Sequence, residues 1–310
     1  MSDVVDPQLR PGLERLPVLD LTDLAAFRQT ARRRAAAPAD PGLARENHRV
    51  PAAAGHPGVD VRHYRRTDVV GSRGVVLWAH GGGHVRGSMD QDDLLLRALS
   101  RNVGCDAVAV GLRRAPEDPY PADVDDILAT AEWIRDHAAA LGVDGDRLVA
   151  AGSSAGAGAV AGATLLARDR GDQPFCFQVL TYPMLDDRTV PPHAHPVPDP
   201  RMWSPENNEF GWRAYLGPAF GTADVPAYAA PARATDLSGL PPAFLGVGAL
   251  DLFLREDLEY AARLAEADVP VEVHVYPGAF HGFNTLVPDA DVSARFDRDR
   301  NEALIRALRG

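Results

Sequence analysis

Ser154 lies in Gly152-Ser-Ser-Ala-Gly156, a G-x-S-x-G pattern with an apolar run before it (148–151) and a small-residue run after it (157–167). Strand, tight turn and helix is the context in which such a serine is pushed out of the turn and exposed as a nucleophile. Two flanking glycines let neighbouring backbone pass close by. A helix N-terminus behind the serine offers free N–H groups and a positive dipole end, suited to a developing oxyanion. Serine needs a base and an orienting acid to attack anything. Candidates for both follow in the order serine, acid, histidine. Asp251 comes just after the apolar run 243–248, at the carboxyl end of a strand, whereas Glu256 and Asp257 fall within the next helix. His281 lies in the loop after the run 271–276, with Gly278 and Gly282 giving that loop flexibility, and His274 is mid-strand and structural. His80-Gly-Gly-Gly83 follows another apolar run and can present backbone N–H groups to a tetrahedral intermediate. The expected donors are Gly82, Gly83 and Ala155. The chemistry this set could perform is acyl transfer through a covalent serine intermediate.

The elements that must hold these residues are legible as an alternation. From residue 59 onward, strand-like runs (59–64, 74–79, 106–112, 148–151, 175–182, 243–247, 271–276) alternate with helical patterns (90–102, 122–141, 157–167, 251–267, 293–308). Such alternation predicts an α/β fold, one mostly parallel sheet with helices on both faces. Residues 1–18 read as irregular and 19–37 as a helix, with Asp20 or Thr22 as cap and Arg32-Arg33-Arg34 as a solvated end. The Pro/Ala/Gly-rich stretch 37–58 reads as a linker. The stretch 186–228 breaks the rhythm, and a long insertion in an α/β domain is usually functional. The expected organisation is one domain over 1–310. Its cap comes from about 1–45 and 186–228, and its core from about 46–185 and 229–310. Trp203, Phe210 and Trp212 of the insertion are candidates to line a substrate pocket.

Composition narrows the partners. The 310 residues carry a formal net charge of −11, which argues against nucleic acid and against an anionic membrane surface. All 32 basic residues are arginine, a compositional bias. No apolar run approaches the roughly 18 residues of a membrane span. Cys105 and Cys176 both adjoin apolar runs and read as reduced core residues, and the N-terminus shows no apolar signal segment. A cytoplasmic location is expected. The pairs His80/His84 and His193/His195 lack cysteines or carboxylates at ligand spacing, so no metal is assigned to them. The run 271–276 alternates, contains no proline and reads as a sheet edge open to a second copy of the chain.

Several motifs together resemble the bacterial hormone-sensitive-lipase-like (family IV) esterases of the α/β-hydrolase fold, from about residue 59 onward. His80-Gly-Gly-Gly83 is similar to their oxyanion motif, and Leu112-Arg-Arg-Ala-Pro-Glu117 with Pro119-Tyr-Pro-Ala122 to their Y-R-L-A-P-E segment. Asp251 to Glu256 resembles their acid motif, and Tyr276-Pro-Gly-Ala-Phe-His-Gly-Phe283 their histidine motif. Ser153 stands where that family often has Asp, Leu112 where it has Tyr, and Leu252 and Arg255 where it has Pro and Asp. Tyr182–Arg188 and Pro231–Asp236 are similar to acetyl-hydrolase-like members. The resemblance implies an eight-stranded sheet with a helical cap, a dimer, and hydrolysis of carboxylic esters without a cofactor. The implied partner is a small ester, with a lactone or an acetylated metabolite as alternatives. A non-catalytic binding protein on the same fold would lack one of Ser154, Asp251 or His281.

Overall fold

A computed structural model describes residues 4–21, 23–31, 40, 42–53, 55–68, 71 and 73–309. Thr22 and the Arg32-Arg33-Arg34 run lie outside the described residues. Eight strands form one sheet: β1 (Leu43–Val50), β2 (Val59–Arg66), β3 (Arg73–Ala79), β4 (Asp106–Val110), β5 (Val143–Ser153), β6 (Phe177–Thr181), β7 (Ala243–Gly248) and β8 (Val271–Tyr276). Their order is β1-β2-β4-β3-β5-β6-β7-β8. β1, β2 and β4 pair antiparallel, and every later pairing is parallel. The helices are α1 (Arg10–Glu14), α2 (Leu24–Ala31), α3 (Asp93–Leu99), α4 (Ala122–Asp136), α5 (Ala138–Leu141), α6 (Ala155–Asp169), α7 (Pro205–Leu216), α8 (Leu254–Glu266), α9 (Phe283–Leu286) and α10 (Asp291–Arg309). None of the described helices is long and apolar enough to cross a membrane.

Central strands covered on both faces are apolar at every position, and β3 is buried throughout. Its alternate side chains divide between two cores. Val75 and Leu77 join Leu148, Ala150, Leu180 and Leu245 beneath Ile127 and Ile134 of α4, Val160 of α6 and Leu264 of α8. Val76 and Trp78 join Val149, Val179 and Phe244 beneath Leu96 and Leu99 of α3 and Leu304 and Leu308 of α10. β5, with Leu148 and Ala150 in one core and Val149 in the other, is thus clamped from both sides.

α6 approaches neighbouring main chain closely at its glycines. A Cβ on Gly156 would strike the carbonyl oxygens of Ala79 and His80; on Gly158, that of Met184; on Gly162, that of Tyr228. Only glycine permits these approaches.

Several expectations need correction. The stretch 37–58 is not a linker, because β1 occupies Leu43–Val50, pairing along its length with β2. Its sequence is polar because it is a sheet edge, and that hid the strand. The helix expected over 19–37 is described only at Leu24–Ala31, and the irregular N-terminus contains α1. The 122–141 helix breaks at His137, and that of 90–102 ends in a wider turn over Ser100–Gly104. The helix expected from 251 begins at Leu254, that expected from 293 begins at Asp291, and the strand of 175–182 is confined to Phe177–Thr181. Cys105 is buried as expected, but Cys176 is exposed.

Candidate active site

Ser154 caps α6 at φ 55°, ψ −125°. A non-glycine residue there is strained and must be over-determined by its surroundings. It is: its N–H donates to Thr181 O at 2.9 Å, and its carbonyl accepts from Gly158 N at 3.0 Å and Met184 N at 3.1 Å. β6 and the segment after it therefore fix the turn. Gly152 is needed because a Cβ there would meet the backbone of Gly156 and Ala157 at 2.8 Å.

His281 reaches this serine, with Nε2 2.9 Å from Ser154 Oγ. Its Nδ1 lies 2.8 Å from Asp251 Oδ2. An ionised Asp251 can only accept, so Nδ1 carries the proton and Nε2 is left to accept from the hydroxyl. The Asp251 side chain is fully buried, and its other oxygen accepts from Phe253 N at 3.0 Å. Tyr182 and Phe253 pack edge-on against the imidazole, at 4.7 and 5.1 Å between ring centres. The flexible loop expected around His281 is instead well packed, with Ala279, Phe280 and Phe283 fully buried and Asp6 N donating to Gly278 O at 3.0 Å. Hydroxyl, imidazole and carboxylate thus form one hydrogen-bonded line that can remove a proton from Ser154 as it attacks a carbonyl.

The glycine loop abuts the serine. A Cβ on Gly81 would lie 3.2 Å from that of Ser154. Gly82 (φ 137°) and Gly83 (φ 59°) adopt conformations that favour glycine, and Gly82 O accepts from Val85 N and Arg86 N. Neither Gly82 N nor Gly83 N donates to a backbone acceptor among the described residues. Ala155 N opens α6, where no intrahelical acceptor exists. The N–H groups of Gly82, Gly83 and Ala155 thus have no backbone acceptor among the described residues. His80, within this loop, is pushed down to about 4 by burial and stays neutral.

Two arginines that sequence reasoning did not single out brace this loop. Arg28 of α2 donates to Val85 O at 2.7 Å and Ala115 O at 2.8 Å, while pairing with both oxygens of Glu117. Arg114 donates to Gly87 O at 2.5 Å. Arg114 belongs to the Arg113-Arg114 motif noted above, but its target could not be read from spacing.

Trp203 is buried with its ring edge over Gly83, where a Cβ would collide with it. Its Nε1 donates to Asn208 Oδ1 at 3.1 Å, and Asn208 Nδ2 donates to Thr189 O at 2.7 Å. The Thr189 hydroxyl bonds Glu256 of α8, which also accepts from Leu185 N at 2.7 Å. Glu256, weighed as an alternative acid, is therefore engaged in tying the 186–228 segment to the sheet. Trp212 is fully buried against His84 and Tyr215 instead of facing Ser154, and Phe210 is half-buried nearby. His84 stacks on Tyr215 at 3.7 Å, and both bond Asp123. His193 and His195 are exposed, and His80 and His84 are held by Gly81 O and Asp123.

A strained serine at a strand–helix turn of this sheet, faced by a histidine after the last strand, defines a class. Residues 76–285 match the family of the alpha/beta hydrolase fold, and the chain belongs to that family, in its hormone-sensitive-lipase-like branch. Among known proteins it is 35% identical over 284 residues to "Esterase LipI" of Mycobacterium tuberculosis, covering 90% of this chain and 88% of that one. It is 31% identical to "Ethyl acetate hydrolase" of Pseudomonas putida, covering 74% of each. Of solved structures, "Bacterial Heroin Esterase" superposes with a TM-score of 0.91 at 36% identity, covering 99% of both chains.

Proposed function

We propose that this protein is a serine carboxylesterase acting on short-chain carboxylic esters. Ser154 Oγ attacks the ester carbonyl and passes its proton to His281 Nε2. The N–H groups of Gly82, Gly83 and Ala155 bond the oxyanion of the tetrahedral intermediate. His281 then returns the proton to the departing alkoxide, leaving an acyl group on Ser154. Water, deprotonated by the same imidazole, attacks the acyl carbonyl and releases the carboxylic acid. Asp251 holds the tautomer this exchange requires. The observation that carries the reading is the continuous line Ser154–His281–Asp251, with bonds of 2.9 and 2.8 Å. The relatives named esterase and ethyl acetate hydrolase support the substrate class.

In this reading the cap is built from the described residues that precede β1 within about 1–45 and from about 186–228, around a core of about 46–185 and 229–310, with Trp203 and Phe210 nearest the acyl group. The test is stoichiometric labelling with a fluorophosphonate, located by peptide mass. A label on Ser154, absent in Ser154→Ala, supports the assignment. Hydrolysis of p-nitrophenyl acetate at wild-type rate by Ser154→Ala refutes it.

The free Cys105 and Cys176 support a reducing, cytoplasmic location. β8 is an edge of the sheet with Val273 and Val275 exposed, which supports a dimer through residues 271–276. Sedimentation of a monomer at micromolar concentration would exclude that assembly.

A further inference from the structure

The opposite sheet edge carries a second group of side chains able to do chemistry. Glu46 and His48 are two apart on β1 and so share one face of the strand. Glu46 pairs directly across from His63 of β2. One ligand-competent atom from each of the three lies within 4.8 Å of the others. Glu46 Oε2 is 3.8 Å from His48 Nε2, and the other Glu46 oxygen accepts from Arg65 at 2.9 Å.

Two features separate this group from an ordinary polar edge. The His63 side chain is only 1% exposed, and its Nε2 is bonded to Asp106 Oδ2 at 2.8 Å. Asp106 is itself held by Arg73 Nε at 2.7 Å. With Nε2–H donating to that carboxylate, Nδ1 carries the lone pair, yet it is buried with no hydrogen-bond partner among the described residues. His48 Nε2 is likewise buried and unpartnered, its ring packed 5.4 Å from that of Trp133. Buried polar atoms are ordinarily satisfied, and two imidazole nitrogens left so beside one carboxylate call for an explanation.

We propose that His48 Nε2, His63 Nδ1 and a Glu46 carboxylate oxygen bind one divalent transition-metal ion of the zinc type. Water takes the fourth position. Imidazole with carboxylate suits such an ion better than calcium or magnesium, which take oxygen ligands. A carboxylate behind a ligating histidine, the place Asp106 occupies, fixes the tautomer and orientation of the ring. Tetrahedral zinc with bonds of about 2.0–2.2 Å sets its ligand atoms roughly 3.3–3.5 Å apart. The Glu46–His48 separation of 3.8 Å is close to this, and Glu46, with its side chain 42% exposed and its other oxygen on Arg65, leaves Oε2 to close the rest. The ion would staple β1 to β2 at an edge, remote in the strand order from β5.

The test uses metal-free full-length protein titrated with Zn²⁺ against a chromophoric chelator, with Co²⁺ absorption reporting the ligand geometry. One ion per chain is expected, with visible bands of four- or five-coordinate Co²⁺ and a rise in Tm on adding Zn²⁺. His48→Ala and His48→Gln should each weaken binding about 100-fold or more and abolish the Tm rise, with p-nitrophenyl acetate hydrolysis by the metal-free protein unchanged. His63 is spared because its burial makes its removal a test of folding. Absence of stoichiometric binding overturns the proposal. So does wild-type affinity in both His48 variants, which would move the binding to other histidines.

Discussion

Ser154 combines a positive φ with a hydroxyl bonded to His281, and one turn sets both. The turn that makes the conformation costly also aims the hydroxyl out of the sheet. Removing the hydroxyl leaves the hydrogen bonds of the turn in place, since they are all made by main chain. Ser154→Ala is therefore expected to keep its circular dichroism spectrum and to lose about 10⁴-fold or more in kcat on p-nitrophenyl acetate, with His281→Ala losing a similar factor. A loss under tenfold in either would show that another group supplies the nucleophile or the base. Ser154 and His281 could be paired from sequence because the proposed roles demand particular residue types at fixed chain positions, and the structure brings them within 2.9 Å. Arg28 and Arg114 were not legible: each works through a guanidinium reaching a carbonyl 57 or 27 residues away, and any surface arginine looks the same in sequence.

α7 and α8 hold the loop over Ser154 through one run of polar contacts, from Glu256 through Thr189 and Asn208 to Trp203 above Gly83. Asn208 is fully buried and uses both ends of its amide. Asn208→Leu leaves Trp203 Nε1 and Thr189 O unpaired, each at a cost of about 1–3 kcal/mol. A fall in Tm of several degrees by calorimetry is expected, together with a loss in kcat/KM as Trp203 is released from Gly83. An unchanged Tm would show that the run of contacts carries no stability.

Next to Glu256 in α8, Asp257 is fully buried with neither oxygen bonded among the described residues, and burial first, then Glu256 and Asp251, pushes its carboxyl well above the usual range. The unfolded chain releases that proton above a pH of about 4. The folded chain keeps it, so this group's contribution is full below about 4 and lost as pH rises toward the folded value. Asp257→Asn cannot ionise. Its Tm should match wild type near pH 4 and exceed it at pH 8, and equal Tm at both would refute a protonated Asp257. None of this was legible. β1 was missed for a related reason: its polar residues form a strand only because β2 lies beside them, and pairing partners are not written in local pattern.

At the scale of the whole molecule, the parallel order of the sheet was legible from strand–helix alternation, because central strands must be apolar on both faces. How residues 186–228 sit was not, since that segment is placed by contacts far along the chain. Leu21 and Phe27 from the N-terminal region join Trp203, Trp212 and Tyr215 in one cluster that also contains Ala155, next to Ser154. Closure of this cluster over Ser154, as proposed above, would favour acyl chains of about two to six carbons. Each additional buried CH₂ can contribute roughly 0.8 kcal/mol, so an open cleft would show rates climbing with length. The measurement is kcat/KM on p-nitrophenyl esters from acetate to palmitate. A maximum at about ten carbons or more would show that these aromatics do not limit the acyl group.

The glycines of α6 have a consequence for how such a protein can diverge. Gly156, Gly158 and Gly162 meet main-chain oxygens, which every residue supplies whatever its side chain. Neighbouring side chains can be exchanged over generations without altering those contacts. The position of Ser154 is thereby insulated from drift in the residues around it. Residues 186–228, held by side chains such as Asn208 and Trp203, have no such insulation. Descendants of this fold are free to change what they accept while the serine stays where it is. Replacing these helix glycines by alanine, a common route to a sturdier enzyme, is closed here.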